Sequence, residues 1–238
     1  MAVQNTLTPK SKEKEKVASY VAANGNKITL TLDTVKNYLV SGDKDRITTQ
    51  EIVMFINLCQ HNGLDPWLKE AYLIKYGSEP ATLIVSKETF MKRAEENTQF
   101  NGYEAGIILL KEETGELIYR KGSLKLQSEI IVGGYAEVWR KDREHSYREE
   151  VSFDEYAGRK KDGTLNRQWA SKPATMIRKV ALVHALREAF PGTLGGMYSE
   201  EEQEVAEPID VPYSETSQEQ KEENKQEQES VSAALFGV

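Results

Sequence analysis

One segment of the chain, PATMIRKVALVHALREAF at 173–190, constrains the possible folds more than any other. Its length and composition predict a single long helix, and its apolar residues leave no polar stripe at 100° per residue. A helix that is apolar on all sides belongs in a protein interior, yet Arg178, Lys179 and Arg187 lie within it. Buried cations are unfavourable unless an anion meets them, so the segment predicts a buried helix with an anionic partner.

Small and bulky residues occupy opposite sides of this predicted helix. One side places Arg178 within a stripe of alanines, namely Ala174, Ala181, Ala185 and Ala189. The other side carries the bulkier residues Met176, Val180, Val183 and Phe190. Two interpretations follow. The small side lines a groove or a subunit contact where Arg178 reaches a phosphate, or it packs on another helix with Arg178 paired to a carboxylate.

Charge is distributed unevenly along the chain. The 238 residues carry a net charge of −7, but 199–238 holds twelve acidic residues against two lysines, a net charge of −10. Residues 1–198 therefore have a net charge of +3, and 159–187 holds eight basic residues and one acidic residue. Such asymmetry indicates a body that binds a polyanion and an acidic tail.

The order of the predicted elements indicates an α+β fold. Helices are expected at 33–40, 49–61, 86–97 and 173–190, the last with Ser171 as its N-cap. Strands are expected at 27–33, 70–76, 81–86, 103–110, 116–120 and 134–141. Because strands and helices do not alternate regularly, we expect a mainly antiparallel sheet with flanking helices and a long basic C-terminal helix of the core.

The same pass along the chain predicts three parts. They are a polar N-terminal arm over 1–26, a core domain over 27–198 and a disordered acidic tail over 199–238 with the apolar tip SVSAALFGV. No apolar run approaches the ~20 residues of a membrane span, and the N-terminus has no signal-peptide core. With a single cysteine, Cys59, the chain is expected to be cytoplasmic, without a membrane partner.

Residues for metal or nucleophile chemistry are sparse. Zinc needs about four ligands at recognisable spacings, whereas His61, His145 and His184 lie far apart and Cys59 with His61 forms one pair. No Walker loop or dinucleotide glycine fingerprint occurs. We expect no cofactor and no enzymatic activity. The alternatives are a metal-dependent nuclease and a protein-only scaffold.

Two aromatic stretches leave alternatives open. In GLDPWLKEAYLI, Trp67 either fills the core, the favoured interpretation, or forms a platform on which bases stack. In GGYAEVWRKDREH, a strand places Tyr135, Trp139 and Lys141 on one face and Arg140 on the other. The aromatic residues of that strand either bind single-stranded nucleic acid or face the core. Trp169 is expected to be a buried anchor.

Four blocks of the sequence resemble phage single-strand annealing proteins in order and spacing. The blocks are GLDPWLKEAYLI, TQFNGYEAGI, AEVWRKDREH and QWASKPATMIRKVALVHALREAFPGTLGGMYSEEE. They are most similar to the Bet (Redβ) branch of the RecT/Redβ superfamily, over about 30–200. The resemblance implies an ATP-independent protein without nuclease activity that binds single-stranded DNA from a 5′–3′ exonuclease and anneals it. It also implies a homo-oligomer, a ring or helical filament, that holds the annealed duplex intermediate in a basic groove.

The resemblance also implies which residues contact DNA. The family's basic sites match Lys69, Arg140, Lys141, Arg178 and Arg187, and Lys179 lies beside one of them. A basic loop at the equivalent place holds Arg159, Lys160 and Lys161. The Bet branch carries basic residues just after the helix proline, whereas this chain has Ala174 and Thr175, and Lys172 is the expected substitute.

The C-terminus departs from the Bet pattern. Bet proteins carry a small partner-binding domain there, whereas this chain has an acidic segment of 40 residues, 199–238, that ends with Leu235, Phe236 and Val238. An acidic spacer with an apolar tip resembles the tail of bacterial single-strand binding protein. Either the tip docks the exonuclease or a host replication protein such as the host single-strand binding protein, or the tail only confers solubility.

Overall fold

The computed structural model describes residues 17–160 and 162–199. Its first elements are strands β1, Val17–Val21, and β2, Lys27–Thr31, which pair antiparallel. Tyr20 of β1 is buried, and its hydroxyl donates to the Leu64 carbonyl oxygen at 2.7 Å. Strand β1 thus lies inside 1–26, where the sequence predicts a polar arm, because alternation over five residues is hard to recognise beside a lysine-rich stretch. Residues 1–16 lie outside the described part.

Two short helical segments follow β2. Helix α1, Leu32–Thr34, continues into a π-helical turn, Val35–Leu39. The expected helix start at Asp33 is wrong, because Thr31 accepts from the Thr34 amide and receives a reciprocal bond in a capping box.

Helix α2, Thr49–Asn62, confirms the predicted helix at 49–61. It starts with a capping box between Thr48 and Glu51 and ends at Gly63, which adopts the left-handed conformation with φ 58°. A 3₁₀ turn, Pro66–Leu68, then leads into a small sheet.

The small sheet has the order β3-β4-β5. Its strands are β3, Val40–Gly42, β4, Ala71–Lys75, and β5, Thr82–Val85, with β3 parallel and β5 antiparallel to β4. A further 3₁₀ turn, Lys44–Arg46, follows β3. The predicted strands at 70–76 and 81–86 are confirmed. Helix α3, Lys87–Glu96, begins after Ser86, whose hydroxyl accepts from the Thr89 amide as the sequence predicted.

An antiparallel sheet with the order β7-β6-β8-β9 forms the centre of the fold. Its strands are β6, Phe100–Lys111, β7, Leu117–Lys121, β8, Glu129–Arg140, and β9, Tyr147–Ser152. Strand β9 was missed, because YREEVS has only two apolar or aromatic side chains in six residues. The α+β class with a mainly antiparallel sheet is confirmed.

The last elements are α4, Phe153–Tyr156, α5, Arg167–Ser171, α6, Pro173–Ala189, and α7, Pro191–Leu194. Helix α6 is the long helix that the sequence predicted. Its expected N-cap, Ser171, is wrong: Ser171 ends α5, and Lys172 occupies the cap position without a side-chain cap bond. Trp169 of α5 is buried, and its ring meets that of Phe153 edge to face at 5.5 Å.

Helix α6 packs against the central sheet at very close range. Gly134 of β8 lies so near Ile177 that an added Cβ atom would be 2.5 Å from the Ile177 carbonyl oxygen. Ala181, Ala185 and Ala189 are all fully buried within the chain. The interpretation that the alanine side lines an open groove is therefore wrong for these three residues, because internal packing already covers them.

No helix within 17–160 or 162–199 is long and apolar enough to cross a membrane.

Candidate nucleic-acid interface

The turn between α2 and β4 exposes side chains that the sequence placed in the core. Trp67 is 47% exposed, so its expected role as a core residue is wrong. Asp65, buried beneath it, accepts from the Trp67 amide at 3.1 Å. Lys69 follows with its side chain exposed and a backbone φ of 59°. The turn therefore presents one aromatic ring and one cation to solvent.

Strand β8 divides its side chains between two faces of the sheet. Ala136 and Val138 belong to the core, whereas Tyr135 packs edge to face on Tyr119 at 5.6 Å and lies outside that core cluster. The Tyr135 hydroxyl donates to Glu104 at 3.1 Å; burial and this bond raise its pKa. Tyr135 therefore fits neither interpretation fully, since it is buried on the face away from the main core.

Arg148 of β9 covers this tyrosine pair. Its guanidinium carbon lies 5.3 Å from the Tyr119 ring centroid and 5.4 Å from that of Tyr135, within cation–π range. It also pairs with Glu150 at 2.8 Å. Sequence reasoning missed Arg148 together with its strand. The alternation of Tyr147, Glu149 and Val151 with Arg148 and Glu150 is the signal that could have found it.

The end of β8 carries three residues of the predicted interface in different settings. Trp139 is half-buried and Lys141 is exposed. Arg140 is held inside the molecule: it pairs with Asp142 at 2.8 Å, lies 4.9 Å from the Phe190 ring centroid and donates to the Ala189 carbonyl. Only 16% of the Arg140 side chain is exposed, so the protein itself already uses most of its donors.

The cations of α6 do not share one face. Arg178 Nε donates to the Ala105 carbonyl oxygen of β6 at 3.0 Å. Arg187 donates to the Met197 carbonyl at 3.4 Å and lies 5.1 Å from the Tyr198 ring centroid. Nine residues separate the two arginines, which places them about 180° apart around the helix and about 14 Å apart along it. Lys179 lies next to Arg178 and is half-buried.

Several exposed cations precede α6 along the chain. Arg159 and Leu165 pair across a short loop that contains exposed Lys160, and Arg159 bonds Asp154 at 3.1 Å. Lys172 is exposed at the uncapped start of the helix, where the helix dipole is positive. Lys161 lies outside the described residues. This end of α6 can attract phosphate by charge and by its backbone N–H groups.

Metal ligands do not come together in the part of the chain that the structure describes. Within it, no group of three or more His, Cys, Asp or Glu side chains could hold a metal ion. Cys59 is buried whereas His61 of the same helix is exposed, so the two side chains of this C-x-H pair lie in different environments. Burial raises the pKa of the Cys59 thiol to about 12.

Comparison with known proteins places this arrangement in a family. The sequence model of the RecT family matches residues 25–228, which include every candidate interface residue. An uncharacterized protein of Ureaplasma parvum serovar 3 is 30% identical over 188 residues, which span 77% of this chain and 73% of that protein. The chain therefore belongs to the RecT family, the single-strand annealing proteins of phage recombination, which bind single-stranded DNA and form oligomers.

Proposed function

We propose that this protein binds single-stranded DNA and anneals complementary strands without ATP or a metal ion, in the manner of the Bet branch. The family match over 25–228 carries this proposal, because it spans the three-stranded sheet, the central four-stranded sheet and all of α6. The protein would act on the strand left by a phage 5′–3′ exonuclease and would hold the annealed duplex intermediate. It would perform no bond chemistry and need no cofactor.

The distribution of cations supports contacts with the phosphate backbone. Five predicted contact residues have exposed side chains, and several parts of the fold position them, namely Lys69, Lys141, Arg159, Lys160 and Lys172. Phosphate neutralisation binds any sequence and releases counterions. It also leaves base edges available for pairing, which annealing requires. Among the other predicted contacts, Arg178 keeps part of its surface open, whereas Arg140 contributes mainly by orienting the end of β8.

An oligomer would explain the separation of cations on α6. Because Arg178 and Arg187 lie on opposite sides of the helix, a single strand cannot follow both along one face of one subunit. In a ring or helical filament, the strand would contact Arg178, Lys179 and the start of α6 in one subunit and other cations in the next. We propose that the groove is built from neighbouring subunits.

The acidic C-terminal segment is the proposed partner-binding element, and residues 200–238 lie outside the described part of the chain. Deletion of 207–238 should leave annealing intact and strengthen DNA binding at low salt, where charge competition is least screened. It should also abolish capture of the exonuclease or of the host single-strand binding protein. Retained capture would exclude docking through the tip.

A fluorescence annealing assay tests the main proposal. Two complementary oligonucleotides, one with a donor dye and one with a quencher, are mixed with protein in EDTA without nucleotide. We expect annealing clearly faster than that of protein-free strands. Annealing no faster than the protein-free rate would refute the proposal. Magnesium-dependent loss of labelled DNA would favour the nuclease, and unchanged oligonucleotide mobility would favour a protein-only scaffold.

A further inference from the structure

The turn from α2 to β4 leaves two large apolar side chains open at adjacent positions. Trp67 is 47% exposed and Leu68 is 59% exposed, although Pro66 just before them is buried. Contiguous exposed apolar surface marks a site of interaction more often than scattered apolar residues do. Here the apolar surface ends at the exposed cation Lys69, so the site combines a flat ring with a positive charge.

A buried polar network holds this turn in place. The Asp65 carboxylate accepts from the side-chain amides of Asn24 at 3.0 Å and Asn26 at 3.1 Å, and from the Trp67 backbone amide at 3.1 Å. The Asp65 amide in turn donates to Glu70 at 2.9 Å. Bonds from the β1–β2 turn and from the Trp67 turn itself converge on one buried carboxylate, so the backbone that carries Trp67 has little freedom to move.

The same network forces an unfavourable backbone conformation on Lys69. Among the described residues, Lys69 alone has a positive φ without being glycine, at 59°. Its amide donates to the Pro66 carbonyl at 3.0 Å, which closes the turn. Glycine would adopt this conformation without strain. Strained positions of this kind cluster at binding sites, where the surrounding structure holds them.

We propose that Trp67 is a platform on which one base of single-stranded DNA stacks, with Lys69 neutralising the neighbouring phosphate. This inference rests on the proposed function and adds a base contact to it. Every base has a π face, so stacking on an indole ring is tolerant of sequence. One ring in each subunit would hold about one base and leave the others available to a complementary strand.

Abasic DNA separates stacking from phosphate contacts. Fluorescence anisotropy would measure binding to labelled oligo(dT) and to an oligonucleotide of equal length made of abasic sites. Trp67→Ala should weaken oligo(dT) binding by about 5- to 150-fold per stacked base and leave abasic binding unchanged. Trp67→Phe should retain most of the affinity. Leu124→Ala, which removes an exposed apolar side chain (67% exposed) outside the proposed site, is the control and should change neither.

A variant of Lys69 provides the complementary test. Lys69→Gly should weaken binding to both DNAs equally, because abasic DNA keeps its phosphates, and it should not lower thermal stability, because glycine suits φ 59°. An equal loss on both DNAs for Trp67→Ala, or no loss on either, overturns the stacking platform.

Two further outcomes are distinguishable from these. If Trp67→Ala dissociates the DNA-free oligomer in sedimentation, the ring is a subunit contact and the platform is refuted. If the wild-type protein binds neither DNA, the proposed function itself fails, whatever the variants do.

Discussion

Arg178 Nε lies 3.0 Å from the Ala105 carbonyl oxygen, so a cation of the most apolar helix donates to the backbone of the central sheet. The same carbonyl accepts from the Gly122 amide at 3.0 Å, just past the end of β7. This bond fixes the base of the guanidinium group on the sheet. It explains how a half-buried arginine is accommodated where the described structure provides a carbonyl rather than a carboxylate.

Arg178→Ala should weaken binding to single-stranded DNA and flatten its salt dependence. If the residue neutralises one phosphate, the slope of log affinity against log salt should fall by about 0.7. The fold should tolerate the change, because Gly122 still satisfies the Ala105 carbonyl. Arg178→Lys keeps the charge and serves as the control. A wild-type salt slope in folded Arg178→Ala would remove this residue from the interface.

Gly134→Ala should destabilise the protein, because its Cβ would lie 2.5 Å from the Ile177 carbonyl oxygen of α6. Neither backbone can move without disturbing the helix–sheet contact, so we expect a loss of roughly 1–3 kcal/mol in the free energy of unfolding. Gly192→Ala is the matched control, since nothing lies within 4 Å of that position. Urea unfolding measures both. Equal stabilities would show that α6 can retreat from the sheet without penalty.

The ion pair between Glu51 and Lys75 should make stability fall in acid. Burial opposes ionisation of Glu51, but bonds from Lys75, Thr48 and Ala81 outweigh it and lower its pKa to about 2. A carboxyl group with a depressed pKa stabilises the folded state at pH values above its unfolded-state pKa of about 4.3. This stabilisation is lost as the pH falls toward 2. The wild type should therefore exceed Glu51→Gln in stability at pH 7, and the difference should shrink by pH 3. A difference independent of pH would mean that the carboxylate charge is irrelevant.

Ionised Glu149 should destabilise the fold near neutral pH, whereas ionised Glu51 stabilises it. Burial, and then the nearby carboxylate of Glu188, raise the pKa of Glu149. A raised carboxyl pKa destabilises the fold once the pH exceeds the ordinary glutamate value of about 4.3, because the unfolded chain ionises more readily. Glu149→Gln should therefore stabilise the protein at pH 7 and have little effect below pH 4. Exposed Glu155→Gln is the control. Thermal melting across pH would contradict the prediction if Glu149→Gln melted lower than the wild type at pH 7.

Local chemistry explains which elements could be predicted. The Thr48 and Ser86 caps, Gly63 after α2 and the apolar length of 173–190 each specify an element through neighbouring residues alone. Strand β1 escapes sequence prediction because it is only five residues long and follows a lysine-rich stretch, and β9 because four of its six residues are polar. Sheet pairing, not composition, stabilises such strands.

The sequence proposes a set of candidate contact residues but not the surface that they form. The resemblance predicts DNA contacts at Lys69, Lys141 and Arg178, yet it predicts Arg140 on the same basis, and Arg140 is held by Asp142 and Phe190. The sequence favours a core position for Trp67, whereas this residue is 47% exposed. Buried Asp65 holds the Trp67 backbone amide in the turn that presents this ring to solvent.

The sequence by itself determined the α+β class, the long buried helix, the basic stretch at 159–187 and the family, because these depend on periodicity, charge and motif order. The tertiary structure alone decided which cations stay open, which face of α6 is covered and where Trp67 points. Those outcomes depend on contacts between residues far apart in the chain, such as Ala105 with Arg178 and Asn24 with Asp65. A local pattern carries no information about such contacts, because the same residue is buried or exposed according to what the rest of the chain brings against it.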